Sequence, residues 1–411
     1  MMATVEPNYA AVEKPDHVPA ECVVDYNFHA PLPPGVDHYM FYEELLRDKP
    51  EVLWTPQNGG HWIVTRADDI KWVQETYQIF SHEVFIIPRG TVKIVTPPLS
   101  YDPPNHARFR AILNPYFTPK KVAAAQQDAR ALMIELIEKI KARRRCEFVR
   151  DFASVLPVVV FLNIVDLPAE RREEFLEWGD AFSRAPDQES RDRAFATITG
   201  YLKSVLDERH ANPGDDLLSK IAAWRDNPRF ESEDEVMGLA FNVFAGGQDT
   251  VANALSFTVR HLAEHPGHRQ RLRDEPEVIP RAVEEYLRRW GQSNTGRLIM
   301  EDVEHKGVTM KKGEMVMVPI GCSSIDERRH PDPWTIDFDR EDIWDNGRPT
   351  HNTFGNGAHK CVGAPLARAE MALFLEEWVT RIPEFRLDPD KPFQAHMNFV
   401  PGLDELHLIL D

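Results

Sequence analysis

Three observations predict a mainly α-helical fold with smaller β regions, an α+β chain. A proline-free run from Ser232 to His265 reads as one long helix. From Pro119 to about Arg225 helical stretches alternate with short polar breaks, and the β-type runs elsewhere are few and short. At 411 residues the chain can bury one large core or two modest ones. The four cysteines, Cys22, Cys146, Cys322 and Cys361, form no Cys-x-x-Cys pair, so neither a disulfide framework nor a zinc site is indicated, and a reducing cytoplasm fits. A net charge of −18 argues against a nucleic-acid binder. No apolar run reaches the roughly 20 residues of a membrane span; the longest, Val155 to Val165, contains Pro157 and Asn163.

Residues 1–30, rich in Pro, Glu and Asp, read as an extended lead-in over the surface, and 31–411 as a single domain. Two short β-type runs, 51–54 and 61–65, flank a turn-rich Thr-Pro-Gln-Asn-Gly-Gly and predict a hairpin, followed by a helix over 67–80. Residues 81–99 are apolar but irregular, so they must cover something. Asp102-Pro-Pro-Asn opens a helix on which His106 and Arg110 share a face. Ser232 and Glu235 have capping-box spacing at the start of the long helix, whose length is about 50 Å. In its apolar middle lie Gly246 and Gly247, each costing roughly 1 kcal/mol against alanine, which predicts a loosened helix with an unpaired carbonyl and a groove beside Thr250. Asp249 and Thr250 there bring a carboxylate and a hydroxyl close together, a plausible proton relay.

A helix over 280–290 carries Glu285 and Arg288 at i, i+3. Residues 308–319 read as a hairpin about Lys311-Lys312-Gly313-Glu314, with further short strands at 385–387, 398–400 and 407–410. Between them, Phe354-Gly-Asn-Gly-Ala-His359-Lys-Cys361-Val-Gly363 sets one cysteine in a glycine-rich loop just before a helix that Ala364-Pro365 opens. Gly357 and Gly363 allow tight turns whose N–H groups could face the sulfur, and the helix dipole favours an anion there. A thiolate so placed is a strong ligand for iron.

The pattern Phe-x-x-Gly-x-x-x-Cys-x-Gly resembles the haem-thiolate loop of the cytochromes P-450. Gly-Gly-x-Asp-Thr resembles the acid-alcohol motif of that family, His106-x-x-x-Arg110 its propionate-binding segment, and Glu285-x-x-Arg288 its buried ion pair, with Arg340 as third member. The four motifs span residues 102 to 363 in the family's order. The resemblance implies a triangular helical prism with the long central helix over haem b, bound through iron by Cys361. Gly246, Phe354 and Gly363 would lie against the cofactor, and His106, Arg110, Arg297 and His359 are candidates for its propionates. It also implies a proton relay through Asp249 and Thr250, and a substrate pocket of Phe85, Ile86, Ile94, Asn242, Ala245, Ser293, Phe399 and Val400.

Within the family, the Ile-Pro-Arg segment, Asp-Pro-Pro and Gly-Gly-x-Asp-Thr-Val look like the bacterial camphor-hydroxylase branch. That likeness implies a monomeric monooxygenase that takes electrons from NADH through a ferredoxin reductase and a 2Fe–2S ferredoxin. Two departures point away from camphor. There is no tyrosine between Tyr77 and Tyr101, where that enzyme keeps its ketone-binding phenol, and Asn242 and Gln248 put amides where the branch has aliphatic residues. A small apolar terpenoid or norisoprenoid is the expected substrate. Arg108, Arg110, Lys120, Lys121 and Lys360 are candidates for a basic patch docking an acidic ferredoxin. Two rivals are a haem sensor or carrier, against which the intact Asp-Thr pair speaks, and a peroxide-driven haem-thiolate enzyme, whose members typically lose that pair.

Overall fold

Helices occupy most of the chain because its apolar residues recur at helical spacing between proline and glycine stops. The computed structural model describes residues 6–183 and 188–410, so the first five residues of the lead-in, residues 184–187 within the predicted helical stretch and the last residue lie outside the described residues. The helices are α1 (Tyr39–Leu46), α2 (Ala67–Glu75), α3 (Asn105–Leu113), α4 (Pro119–Arg143), α5 (Val155–Ile164), α6 (Arg172–Ser183), α7 (Gln188–Ala211), α8 (Leu217–Ala222), α9 (Glu233–Glu264), α10 (Pro266–Asp274), α11 (Ile279–Arg289), α12 (Ile320–Ser324) and α13 (Ala364–Arg381). The strands are β1 (Val52–Thr55), β2 (His61–Val64), β3 (Phe80–Ser81), β4 (Arg145–Glu147), β5 (Asn294–Ile299), β6 (Val303–His305), β7 (Val308–Met310), β8 (Met315–Pro319), β9 (Trp344–Asp345), β10 (Arg348–Pro349), β11 (Phe385–Leu387), β12 (Gln394–His396), β13 (Gly402–Glu405) and β14 (His407–Leu410). No helix among the described residues is long and apolar enough to cross a membrane.

The main sheet has the order β1-β2-β8-β5-β3, with β2 and β8 parallel and the other neighbours antiparallel. β1 and β2 form the predicted hairpin. Helix α9 runs for 32 residues through the middle of the molecule. Its second half joins a large core with α4, α11, α13 and the sheet, while its first half joins a second core with α5, α7 and α8. On α13 an apolar stripe is buried at Met371, Phe374 and Trp378, as is Ile382 just past its end. The lead-in does more than wrap the surface: Val18, Cys22, Tyr26 and Phe28 are buried, and Val23 bridges to Trp54.

Several local expectations are corrected. Helix α2 stops at Glu75, because the Thr76 carbonyl accepts from the Ile79 and Phe80 N–H groups and turns the chain so that Phe80 can pair with Ile299. Residues 308–319 are not a hairpin: β7 pairs with β6 and β8 with β5 and β2, so Lys311–Glu314 links two sheets. The turn that does make a hairpin is Lys306-Gly307, both at positive φ, a geometry suited to a two-residue connection. Residues 398–400 are not a strand but lie between β12 and β13. Ser232 is the N-cap of α9 but makes no side-chain cap bond. The Glu235 carboxylate is drawn away instead, to Arg108 at 2.8 Å and the Trp224 indole N–H at 3.0 Å.

Candidate active site

The glycine-rich loop leads directly into α13, and α13 packs on α9. Gly357 has φ +67°, and a Cβ there would lie 3.0 Å from the Gln74 carbonyl oxygen, so both conformation and space require glycine. Gly363 differs from expectation: its φ of −78° is open to any residue. The Cys361 N–H donates to the Phe354 carbonyl at 2.8 Å, which closes the loop. Burial pushes the Cys361 thiol up, opposed by the backbone N–H groups of Gly363 and Ala364 and by the Arg110 charge. Those N–H groups are the unpaired first donors of α13, and they favour the sulfur as an anion. Cys361 is deep, yet it has free surface, so it faces open space. Phe354 supports the loop by packing under Arg368, 4.5 Å from the ring centre, and Arg368 in turn bonds Glu284 on α11 at 3.0 Å.

On α9, Gly246 and Gly247 are exposed although the helix is buried on either side. A Cβ at Gly247 would meet nothing within 4 Å, and one at Gly246 only Asn242 Oδ1 at 3.9 Å. The bare backbone therefore borders a space. The helix is continuous across the glycines, against the expected loosening. The Thr250 hydroxyl donates to the Gly246 carbonyl at 3.3 Å, which leaves that oxygen engaged rather than orphaned. Asp249 is half-buried beside it.

A third group, Arg297 with His82, His106 and His359, lies beside the loop. Arg297 is 4% exposed, and among the described residues no carboxylate pairs with it; its guanidinium donates only to the Gly296 carbonyl at 2.7 Å. Burial lowers its pKa to about 9, partly offset by the Asp102 charge. His106 Nε2 and His359 Nδ1 are buried without hydrogen-bond partners, while His359 Nε2 meets Asp102 Oδ1 at 3.3 Å. Burial holds His106 down at about 4. Arg110 reaches the loop itself, donating to the Lys360 carbonyl at 2.9 Å.

These features fit the haem that the resemblance implies. A buried arginine without a counterion and orphaned imidazole nitrogens call for anionic oxygens, which two propionates supply. The glycine face of α9 can take a flat ligand, and the sulfur can take its metal. Sequence reasoning missed His82, which stacks on His359 at 4.1 Å and also has an orphaned Nδ1. A lone histidine in an irregular segment gives no spacing signal.

Of the expected pocket residues, Phe85 is buried, and Ile86, Ile94, Ala245, Ser293, Phe399 and Val400 are half-buried. Phe85 and Phe399 meet with ring centres 6.0 Å apart. Asn242 has a structural task, donating Nδ2–H to the Pro97 carbonyl at 3.1 Å. Gln248 packs against α6, where its Oε1 would lie 2.6 Å from a Cβ at Gly179. Glu285, Arg288 and Arg340 form the expected buried triad, with Arg288 at 2.6 Å and Arg340 at 3.0 Å from the same carboxylate oxygen.

Arg108 leaves the predicted basic patch, because its guanidinium is consumed by Glu231 and Glu235. Arg110 and Lys360 do border a groove of about 310 Å³ beside Cys361, together with Asn114, Phe117 and Arg368.

Residues 181–400 match the family described as Cytochrome P450. The chain is 32% identical over 406 residues to the probable cytochrome P450 127A1 of Sinorhizobium fredii, which spans 96% of each chain. It is 32% identical to the mycinamicin IV hydroxylase/epoxidase of Micromonospora griseorubida, over 84% of this chain and 88% of that one. The crystal structure of CYP101J2 superposes with a TM-score of 0.87 at 34% identity, covering 97% of this chain and 100% of the other.

Proposed function

This chain belongs to the cytochrome P450 family and is a haem b monooxygenase, and from that premise we propose that it hydroxylates a small apolar terpenoid or norisoprenoid, with electrons passing from NADH through a ferredoxin reductase and a 2Fe–2S ferredoxin. The observation that carries the proposal is the Cys361 sulfur, backed by the N–H groups of Gly363 and Ala364 and with free surface, at the start of the helix α13 that packs on α9, whose backbone is bare at Gly246 and Gly247.

When bound, haem supplies the activation of O₂ and the insertion of one oxygen atom into a C–H bond, helped by thiolate donation. Cys361 would hold it at the iron, and Arg297, Arg110, His106 and His359 at the propionates. The Thr250 hydroxyl, resting on the Gly246 carbonyl, would hold a proton for the reacting oxygen, and the Asp249 carboxylate next to it would pass protons to that hydroxyl. Phe85, Ile86, Ile94, Ala245, Phe399 and Val400 exclude water and orient an apolar substrate, with Ser293 and the Oδ1 of Asn242, whose amide N–H is held by Pro97, as its polar handles.

A ferredoxin fits the groove beside Cys361, where Arg110 and Lys360 supply positive charge, with exposed Lys120 and Lys121 near by in sequence to Arg110, on a chain that is acidic overall. The reduced, carbon-monoxide-treated protein is expected to show the far-red-shifted Soret band of thiolate ligation, and Cys361→His to lose it. Monoterpenoids and norisoprenoids are expected to convert the ferric Soret band from low to high spin, and to be hydroxylated only when NADH, reductase and ferredoxin are all present. A panel that leaves the Soret band unmoved, or turnover indifferent to ferredoxin, would overturn the substrate or partner assignment respectively.

A further inference from the structure

His396, the last residue of β12, lies between two oxygen acceptors. Its Nδ1 is 2.8 Å from Asp404 Oδ1, and its Nε2 is 3.0 Å from the Val400 carbonyl oxygen. A neutral imidazole carries one N–H and would aim its other nitrogen lone pair at an oxygen lone pair. Only the imidazolium, with two N–H groups, satisfies both contacts.

The segment that His396 ties down carries two residues assigned above to the substrate pocket. The Phe399 carbonyl accepts from the Asn294 N–H at 2.8 Å, the Asn398 carbonyl accepts from Asn294 Nδ2 at 2.7 Å, and the Val400 N–H donates to Asn398 Oδ1 at 2.9 Å. Past the turn, His396 pairs with Gly402 across the β12–β13 ladder. A Cβ at Gly402 would lie 2.1 Å from Asn253 Oδ1, so β13 lies directly on α9. The Leu403 N–H donates to that same oxygen at 3.2 Å. Asn253 is one helical turn beyond Asp249, on the same face of α9. The turn is thus anchored to β5 on one side and α9 on the other, with His396 bracing its centre.

We propose that His396 is a positioning residue for the substrate pocket: as an imidazolium it cross-links Val400 to Asp404, and loss of its proton releases the turn that presents Phe399 and Val400. This rests on the reading that Phe399 and Val400 face the substrate. The charged groups around the ring are Asp404 on β13, Asp249 on α9 and His38 at the N-cap of α1. Burial alone would lower the ring's pKa, but the Asp404 carboxylate, the Val400 carbonyl and the Asp249 charge together raise it above 6.5. His38 is held down at about 3 by burial and stays neutral. Because the folded pKa is raised, the clamp is complete below the ordinary imidazole value and is lost as pH rises through the folded one.

The test uses the haem-loaded protein in its diamagnetic reduced, carbon-monoxide-bound form, labelled with nitrogen-15 histidine. Below pH 6.5 both His396 nitrogens should resonate as protonated, and as pH rises the exchange protection of the Val400 amide should fall about tenfold, the size expected for losing one charge-assisted bond. His396→Gln should show the lower protection at every pH, with no step. Asp404→Asn should move the step to lower pH. A His396 that titrates below pH 6.5, or a protection step that persists in His396→Gln, overturns the clamp. These readouts involve no substrate. If Phe399→Ala and Val400→Ala leave terpenoid spin shifts unchanged while the clamp titrates as described, the pocket assignment fails and the clamp stands.

Discussion

Asn242 on α9 donates its Nδ2–H to the Pro97 carbonyl oxygen at 3.1 Å, tying the irregular 81–99 segment to the central helix one turn before Gly246. Asn242→Leu removes the donor and orphans that carbonyl, at a cost of about 1 kcal/mol. Amide exchange in residues 95–99 should quicken several-fold while haem content stays unchanged. Exchange equal to that of the parent would show that the bond does not hold the segment.

Thr250→Ala deletes the hydroxyl that rests on the Gly246 carbonyl. NADH consumption should continue, with the fraction ending in hydroxylated product falling on the order of tenfold and hydrogen peroxide taking its place. Thr250→Ser should restore most of the coupling. Unchanged coupling in the alanine variant would reject the relay role.

The Glu285 carboxylate holds Arg288 and Arg340, and Arg340 also donates to the carbonyls of Pro331, Asp332 and Thr335. Arg340→Ala should cost about 3 kcal/mol, because buried acceptors lose their donor. Chemical denaturation and the ratio of haem to protein measure it, and Arg340→Lys should recover only part of the loss.

Glu370 on α13 is 2% exposed, its Oε1 has no partner, and burial raises its pKa to about 8. An acid whose folded pKa is raised binds its proton more tightly in the folded state, so its ionisation costs stability as pH climbs from about 4.5 toward about 8. Glu370→Gln should therefore raise stability by about 1–3 kcal/mol at alkaline pH and change it little at acid pH. Melting curves at both ends check the sign.

Lys360 and Lys120 are exposed, whereas Arg108 is occupied by Glu231 and Glu235. Lys360→Glu and Lys120→Glu should raise the ferredoxin KM severalfold and flatten the fall of turnover with salt, while Arg108→Ala should act on stability and leave ferredoxin KM alone. Steady-state kinetics over a salt series separate the two.

How much was legible follows from how far apart the partners lie. The Cys361 loop, His106 with Arg110, and Glu285 with Arg288 are each written within a few residues, so their spacings are visible, and the family resemblance supplied their roles. Arg340, 55 positions from Glu285, was reached only through a family resemblance. His82 on His359, Asn242 on Pro97 and His396 between Val400 and Asp404 carry no periodic signal at all. Glu235 shows the opposite failure: its capping-box spacing is real, but Arg108 and Trp224, distant in sequence, offer its carboxylate stronger partners.

The sequence by itself determined most of the helices, the Cys361 loop with its turn at Gly357, and the neighbouring Asp249 and Thr250 on α9. Each of these depends on dihedral preferences and hydrogen bonds that close within one or two turns. Tertiary structure decided which strands pair around residues 303–319, which cation is free to meet a partner, and which nitrogens are left for an anionic ligand. Those outcomes turn on competition among donors and acceptors far apart in the chain, and burial rather than local pattern sets the winner.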